Sequence, residues 1–306
     1  MSVAIVTDST ASLPDDLVVS HGIAVVPLHI VLDGRQYSEG VDVSTAELAA
    51  ALRKLTPVST SRPSPQAFLE AYQAAAAGGA EAVVSVHISS DMSGTVGSAA
   101  LAASQSPIPV VVVDSRSVGM AMGYAVLSAA AAAKRGLDAK KVAAIASSRA
   151  RAATVIFYVD TLEHLRRGGR FGSASALLGS ALAIKPLLGL SDGNITPIEK
   201  VRTASRALSR LEELARQAVD AAGASGVDIA VHHLDSQARA GDLVDRLQVD
   251  VPPSTTVTLF ELGAVVGAHV GPGTIAVAVS PRPGGFDGPD GFDGPDGPNG
   301  PDGGQH

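Results

Sequence analysis

Short runs of β-branched residues alternate with alanine-rich runs in the first half of the chain, and this alternation restricts the fold most. The short runs predict strands at Val3–Val6, Ala24–Leu32, Ala82–Ile88 and Val110–Val113. The alanine-rich runs predict helices at Pro14–Ser20, Thr45–Lys54, Pro65–Ala77, Val96–Ala103 and Gly119–Arg135. Because the strand segments are apolar on both faces, they are typical of a parallel sheet covered by helices. We therefore expect an N-terminal α/β/α domain over residues 1–153.

The pattern changes from about Ala153 onward. Apolar segments at Val155–Val159 and Ile184–Leu190 precede a Gly193–Asn194 turn signal, and Ile195–Val201 is the expected second arm of a hairpin. A long helix and three more strands are predicted after it, at Ala204–Ala222, Ile229–His233, Thr256–Leu259 and Thr274–Val279. This half is predicted to be a separate α+β domain over residues 154–282.

The last segment, residues 283–306, has glycine at every third position over much of its length. Collagen is one interpretation, but about six triplets with acidic and no basic residues are too few for a stable triple helix. We therefore predict a disordered acidic tail.

Composition excludes several classes of protein. The 306 residues carry a net charge of −7 without a long basic run, which argues against nucleic-acid binding. There is no cysteine, so disulfides and thiolate metal sites are excluded and a reducing cytoplasm is compatible. We see no signal-peptide pattern, and apolar stretches such as Met122–Ala133 are shorter than the ~20 residues of a membrane span. The sequence predicts a soluble, cytoplasmic protein with at most transient contact with a membrane surface.

Hydroxyl-bearing residues follow the predicted strands in TDST, HISS and VDSRS, and ligands of such sheets collect at the carboxyl ends of strands. In HISSDMSGT, residues 87–95, the start of a helix with unpaired amides would hold an anion together with Ser93 and Thr95. Gly94 would let the backbone approach that anion. Simple capping of the helix by Ser93 or Thr95 is the alternative.

The stretch STSRPSPQAF, residues 59–68, holds a second group of hydroxyls. Ser64 is the expected N-cap of a helix that begins at Pro65, and Thr60 and Ser61 precede it in an extended loop. Capping alone would explain these residues too. Two hydroxyl-rich loops beside sheet ends nevertheless favour one shared anion site.

Two further segments contain basic side chains. In GAHVGPG, residues 267–273, a helix of small residues stops at His269. This histidine either donates a hydrogen bond or carries a proton near neutral pH, or it serves only as a C-cap. In TLEHLRRGGRFG, residues 161–172, Arg166, Arg167 and Arg170 surround a double glycine. The three arginines either belong to a solvated loop or include one that turns toward the anion while the others face a partner.

Common catalytic motifs are absent. The sequence has no GxxxxGK[ST], GxGxxG, HExxH or GxSxG pattern, so no nucleotide site, catalytic metal or hydrolase elbow is predicted. We expect no catalytic residue, no metal and no cofactor.

Taken in order, eight segments resemble the DegV family of bacterial fatty-acid-binding proteins. They are TDST (7–10), TSRPSP (60–65), HISSDMSGT (87–95), VDSRSVGMAMG (114–123), TLEHLRRGGRFG (161–172), IKPLL (184–188), VRT (201–203) and GAHVGPG (267–273). The resemblance covers about residues 1–282. One departure is Arg62, where the family more often has glutamine, and this residue would alter the mouth of the site.

The resemblance implies a long-chain fatty acid held between two domains. Its carboxylate would be surrounded by Thr60, Ser61, Ser93 and His269, with the helix start at Gly94 and Thr95 beside it and Arg170 in support. It also implies delivery of the lipid to a separate fatty acid kinase subunit, which forms an acyl phosphate from ATP for phospholipid synthesis. A last group of residues, Arg166, Arg167 and Arg202, would lie on or near the docking face for that kinase.

Two other functions are compatible with the same residues. One is an acyl hydrolase with Ser93 as nucleophile and His269 as base, although no third orienting group is evident. The other is a small-molecule or phosphate sensor that regulates a partner.

Overall fold

The structure is a computed structural model that describes residues 2–54, 56–170, 185–223, 226–249, 251–252 and 255–284. The strands in these ranges are β1 (Val3–Asp8), β2 (Ala24–Val26), β3 (His29–Leu32), β4 (Arg35–Ser38), β5 (Val58–Ser61), β6 (Ala82–His87), β7 (Val110–Asp114), β8 (Thr154–Tyr158), β9 (Lys185–Ser191), β10 (Asn194–Val201), β11 (Val227–His233), β12 (Thr256–Glu261) and β13 (Ile275–Pro281). The α-helices are α1 (Asp15–His21), α2 (Thr45–Arg53), α3 (Pro65–Ala77), α4 (Thr95–Ala103), α5 (Met120–Lys134), α6 (Ala139–Ala152), α7 (Glu163–Arg167), α8 (Ala204–Ala222), α9 (Gln237–Val249) and α10 (Ala264–Val270).

The first sheet is parallel, with strand order β2-β1-β6-β7. All six residues of β6 are buried, because helices cover both faces of the sheet. On one face Phe68 and Tyr72 of α3 pack with Ala99 and Ala102 of α4. On the other face, α5 and α6 contribute to a second core cluster. The predicted parallel sheet between helices is confirmed.

A small antiparallel sheet, with order β4-β3-β5, corrects two predictions. The single strand predicted over Ala24–Leu32 is wrong: the chain leaves the parallel sheet at Pro27, which has no N–H to continue the ladder, and β3 belongs to the small sheet. Thr60 and Ser61 were expected in a loop but lie in β5, with Thr60 opposite Ile30. Backbone pairing therefore fixes the direction of these two hydroxyl-bearing side chains.

The second half of the chain forms a mixed six-stranded sheet with order β10-β9-β8-β13-β11-β12. The predicted hairpin is present, although its turn is Asp192–Gly193, both with positive φ, rather than Gly193–Asn194. Helix α8 has the predicted bounds and begins after the N-cap Thr203. It buries a stripe of residues at fourfold spacing against the sheet, namely Ala207, Leu211, Ala215 and Val219. The α+β character of this half is confirmed.

Helices α5 and α6 connect the parallel sheet to the mixed sheet. The core cluster that they share contains Val84 of the parallel sheet and Ala278 of the mixed sheet. A buried ionic group strengthens the connection: Asp228 of β11 contacts Arg149 of α6 and accepts a 2.6 Å hydrogen bond from Nη2 of Arg282. Burial lowers the pKa of Arg149, and its attraction to Asp228 opposes that shift.

The division into units at residues 153 and 154 stays a prediction, as does a disordered tail, since residues 285–306 lie outside the described part of the chain. Of the helices in the described ranges, none combines the length and the apolar character that a bilayer crossing requires.

Candidate functional site

The short helix α10 carries His269 against strand β5. Nε2 of His269 lies 2.8 Å from Oγ1 of Thr60, although the two residues are 209 positions apart in the sequence. The helix starts where Glu39 accepts a hydrogen bond from the Val265 amide, and it ends at Val270, before the C-cap Gly271, whose φ is 81°. His269 is thus held in the last turn by its own hydrogen bond to Thr60 while Gly271 is the C-cap, so the C-cap interpretation of the histidine is wrong.

The imidazole of His269 is neutral at pH 7. Burial, followed by the nearby charge of Arg170, lowers the pKa of His269 to about 4. Its Nδ1 atom is buried without a hydrogen-bond partner among the described residues. At Gly168 an added Cβ atom would lie only 2.1 Å from Nδ1, so only glycine leaves room for the ring.

Ser93 lies on the wall of the same cavity, and its immediate neighbours support it. Oγ of Ser93 is 2.8 Å from Oγ1 of Thr95, which is completely buried. Gly94 is the N-cap of α4, and no side chain caps that helix, so the capping interpretation of Ser93 and Thr95 is wrong. In the same region Ser64 caps α3 as predicted. Gly94 and Thr95 do not line the cavity themselves.

Two arginines, Arg62 and Arg170, lie near Ser93 and His269 and form with them the polar end of the cavity. Arg170 donates from Nε to the Met92 carbonyl at 3.0 Å and from Nη1 to the Gly168 carbonyl at 2.7 Å, which turns its side chain inward. Arg62 is exposed and lies against Gly94, where an added Cβ would come within 2.1 Å of Nη1. Both arginines line the cavity together with Thr60 and Ser61.

The other three arginines that the sequence suggested lie outside this cavity. Arg166 and Arg167 are exposed on α7, and each bonds Glu163 at 2.7 Å. These contacts lower the pKa of Glu163 to about 2. Arg202 is exposed just after β10.

The whole cavity is called the main cavity below, and away from these polar side chains its wall is apolar. It lies between the small sheet, the parallel sheet and the mixed sheet, and its volume is about 110 Å³. Its wall includes six large apolar side chains, Leu28, Ile88, Val155, Phe157, Leu190 and Leu262. Among its described lining residues there is no Asp or Glu. A polar cluster with two guanidinium groups therefore adjoins an apolar interior.

A second histidine, His232, also lines the main cavity. Its Nε2 accepts a 3.2 Å hydrogen bond from the amide of Met120 at the start of α5. Burial, with a smaller effect of His233, lowers the pKa of His232 to about 4. His232 is therefore a neutral acceptor in the wall.

The side chains at this site are not arranged as the catalytic residues of a serine hydrolase are. Among the described residues, Ser93 makes its side-chain hydrogen bond to Thr95 and not to His269, and no carboxylate orients the His269 ring. Within the same ranges, no group of three or more His, Asp or Glu side chains is arranged to hold a metal ion. The chemistry present at the site is hydrogen bonding and positive charge toward an anion.

Sequence reasoning did not find His232 or the apolar wall. The wall comes from strands and loops far apart in the chain, and each contributes one or two residues with ordinary core character. Arg62 was visible within TSRPSP, but only as a departure from a pattern.

Fold and site together define a class: an α/β protein with a parallel and a mixed sheet and an anion-suited cluster at one end of an apolar cavity. The family model described as an uncharacterised protein of the DegV family matches residues 2–282. The chain belongs to the DegV family, as the eight sequence segments indicated. A DegV domain-containing protein of Streptomyces coelicolor is 51% identical over 280 residues, which cover 92% of this chain and 99% of the relative.

Two solved structures share the fold closely. The first, described as fatty acid binding of a DegV family protein from Thermus thermophilus, has a TM-score of 0.86 and 33% identity, and covers 92% of this chain and 100% of that one. The second, described as DegV, a fatty acid binding protein from Bacillus subtilis, has a TM-score of 0.85 and 31% identity with the same coverage.

Proposed function

We propose that this protein binds a long-chain fatty acid in the main cavity. The carboxylate would contact Thr60, Ser61, Ser93, Arg170 and His269, and the chain would lie along the apolar wall. One observation carries the proposal: a cationic, hydroxyl-rich cluster adjoins an apolar interior, and the described lining of this cavity has no acidic residue. The fatty acid binding stated for the Thermus and Bacillus proteins supports it.

The energetics of such a ligand require both parts of the site. Burial of a sixteen-carbon chain yields on the order of 0.8 kcal/mol per CH₂, or roughly 11 kcal/mol before the costs of binding. A carboxylate buried without partners would cancel this gain. Hydroxyls, a guanidinium group and a histidine supply the hydrogen bonds that compensate its lost hydration.

The volume of the main cavity sets a condition on binding. A cavity of roughly 150 Å³ is known to take benzene, and the main cavity, at about 110 Å³, is smaller than that. A sixteen-carbon chain is much larger than benzene. The apolar side chains of the wall must therefore move apart when the lipid enters, so binding is expected to be coupled to repacking of the wall.

The proposal includes a route for the bound lipid. As the family resemblance implies, the protein would present the fatty acid to a separate fatty acid kinase subunit, which would form an acyl phosphate from ATP for phospholipid synthesis. Three exposed residues, Arg166, Arg167 and Arg202, would belong to the docking face. The protein would have no catalysis or cofactor of its own, and the use of ATP by its partner would place it in the cytoplasm.

The direct test is extraction of bound lipid. Protein purified from bacterial cells is denatured, the extract is examined by mass spectrometry, and added palmitate is titrated by calorimetry. We expect a long-chain fatty acid in the extract and saturable binding of palmitate. A protein without extracted lipid that also fails to bind palmitate and oleate would contradict the proposal.

Substitution of Ser93 tests the placement of the carboxylate. Ser93→Ala removes one hydrogen bond to a charged group, worth about 1.5–3 kcal/mol, so the affinity for palmitate is expected to fall about 10- to 100-fold. The melting temperature should barely change. Ser104→Ala is the matched control, because Ser104 is exposed at the end of α4 and should keep the affinity of the unmodified protein.

A further inference from the structure

His232 is a polar side chain in the wall of the main cavity that lies away from its polar end. It belongs to β11, where it pairs with Phe260 of β12 and with Ala276 of β13. Its other neighbour is the start of α5, through the amide of Met120. None of these three elements carries a residue of the polar end, so His232 is a separate polar feature of the wall.

The hydrogen bond from Met120 decides which nitrogen of the His232 ring carries the proton. Nε2 accepts this bond at 3.2 Å, so the proton of the neutral ring is on Nδ1, which is therefore a hydrogen-bond donor. Within the described ranges, Nδ1 has no partner for that proton. The ring is free for a further hydrogen bond on this side.

The free Nδ1 atom of His232 faces open space. Unlike Nδ1 of His233 and of His269, it is not enclosed on all sides by protein atoms. Because only 3% of the surface of His232 is exposed and the residue lines the main cavity, that space is the cavity. A hydrogen-bond donor thus points into the part of the cavity that is otherwise apolar.

The wall beside the His232 ring consists of small and apolar side chains. Ala276 lies directly opposite His232 in the sheet, and Ala278 is two residues further along on the same face. Both line the cavity, as do Val155 and Phe157 of β8. A saturated acyl chain along this face would exclude water and offer no acceptor, which would leave the Nδ1 donor buried and unpaired.

We propose that His232 selects long-chain fatty acids that carry a hydrogen-bond acceptor within the acyl chain, namely a keto or hydroxyl oxygen, by donating to it from Nδ1. The inference rests on the proposed function, because the lipid has to lie in the main cavity with its carboxylate at the polar end. A keto oxygen is the better match of the two, because it accepts a hydrogen bond and brings no donor of its own into an apolar wall.

The test moves an acceptor along the chain of one lipid. Calorimetry measures the affinities of stearate and of five oxostearates, whose keto group is at C6, C8, C10, C12 or C14, for the unmodified chain, His232→Phe and His233→Phe. His233 is the matched control, because it is the next residue of β11, points to the other face of the sheet and is not in the described lining of the main cavity. Melting curves check that each variant folds. His232→Gln is the second variant, since its amide oxygen can still accept from the Met120 amide.

We expect the unmodified chain to bind one oxostearate, or two neighbouring members of the series, about 3- to 10-fold more tightly than the others. In His232→Phe this preference should disappear, and all five oxostearates should bind more weakly than stearate, because a buried keto group then has no donor. In His232→Gln the preference should weaken or move to another carbon. His233→Phe should keep the preference of the unmodified chain.

The remaining outcomes separate this inference from the proposed function. If stearate binds but no position is preferred, or the same position is preferred in His232→Phe, His232 does not select the chain, while the proposed function stands. A preference that is lost equally in His233→Phe would be a general effect on β11 and would also contradict the inference. If neither stearate nor any oxostearate binds to the unmodified chain, both proposals fail.

Discussion

Two histidines with hydroxyl partners lie in very different surroundings in this protein. His87, at the end of β6, has Ser85 Oγ 2.6 Å from Nε2 and Asp8 Oδ2 3.0 Å from Nδ1, and Tyr72 OH lies 2.9 Å from the same serine. All four side chains are fully buried. His269 has a hydroxyl on Nε2 and a buried Nδ1 without a described partner, and it lines the main cavity.

The difference shows what makes a polar group available for binding. The buried group has the order of a serine, histidine and aspartate relay, but Ser85 has no exposed surface and its hydroxyl is engaged on two sides. Such a satisfied network stabilises the core and has no capacity for a ligand. The His269 group has unused hydrogen-bonding capacity next to apolar space, which is the condition for recognition of an amphipathic anion.

The largest expected effect is on stability, from Asp8→Ala in the buried network. Asp8 accepts hydrogen bonds from the Thr10 amide, the Ile88 amide and the His87 ring, and these donors would lose their partner. We expect a loss of about 3–5 kcal/mol in the free energy of unfolding, measured by urea denaturation. Asp16→Asn on the exposed face of α1 is the control and should change stability by less than about 0.5 kcal/mol. A loss under about 1 kcal/mol for Asp8→Ala would show that the network does not stabilise the core.

The contrast between the two histidines also shows how far sequence reasoning reaches. The sequence predicts that HISS and TDST are strand ends that face a ligand, and both do lie at the carboxyl end of the parallel sheet. Yet His87 and Asp8 bond each other inside the core. Residue types and spacing predict where polar side chains leave a strand, but not whether neighbouring elements cover them.

Helix prediction succeeded where caps or an amphipathic pattern were strong. The bounds of α3, with Ser64 and Pro65, and of α8 agree with the prediction. Helices α6, α7 and α9 were not predicted, and in α6 the buried Arg149 interrupts the apolar face that would otherwise indicate a helix. Strand β5 was missed because its polar residues are in a strand only through pairing with β3.

A second prediction concerns pH and separates the two histidines of the main cavity. His232 and His269 have pKa values of about 4 in the folded chain, below the ordinary 6.5, so the folded state favours their neutral forms. Their contribution to stability is present above pH 6.5 and is lost as the pH falls toward 4. At pH 5 the loss is about 2 kcal/mol for each histidine relative to pH 7.5.

Melting curves between pH 7.5 and 5 measure this loss, and His269→Gln isolates one half of it. The variant should lose about 2 kcal/mol less than the unmodified chain over this range. Bound palmitate should reduce the His269 part, because a carboxylate beside the ring favours its protonated form, and leave the His232 part unchanged. Equal pH dependence in the unmodified chain and in His269→Gln would contradict the low pKa of His269.

The smallest expected effect comes from Thr60→Val, which removes the hydroxyl partner of His269 and keeps a β-branched residue in β5. Because His269 lines the main cavity, water or a ligand can replace the lost hydrogen bond, so the free energy of unfolding should change by less than about 1 kcal/mol. The affinity for palmitate should fall about 2- to 10-fold. Ser85→Ala is the matched comparison, because it removes the hydroxyl partner of His87 where nothing replaces it, and it should cost about 1–3 kcal/mol of stability. Urea denaturation and palmitate titration of both variants measure the two quantities. A group with unused hydrogen-bonding capacity should lose affinity rather than stability when its partner is removed. If Thr60→Val instead lowers stability as much as Ser85→Ala does and leaves palmitate binding unchanged, the His269 group is a structural network like that of His87.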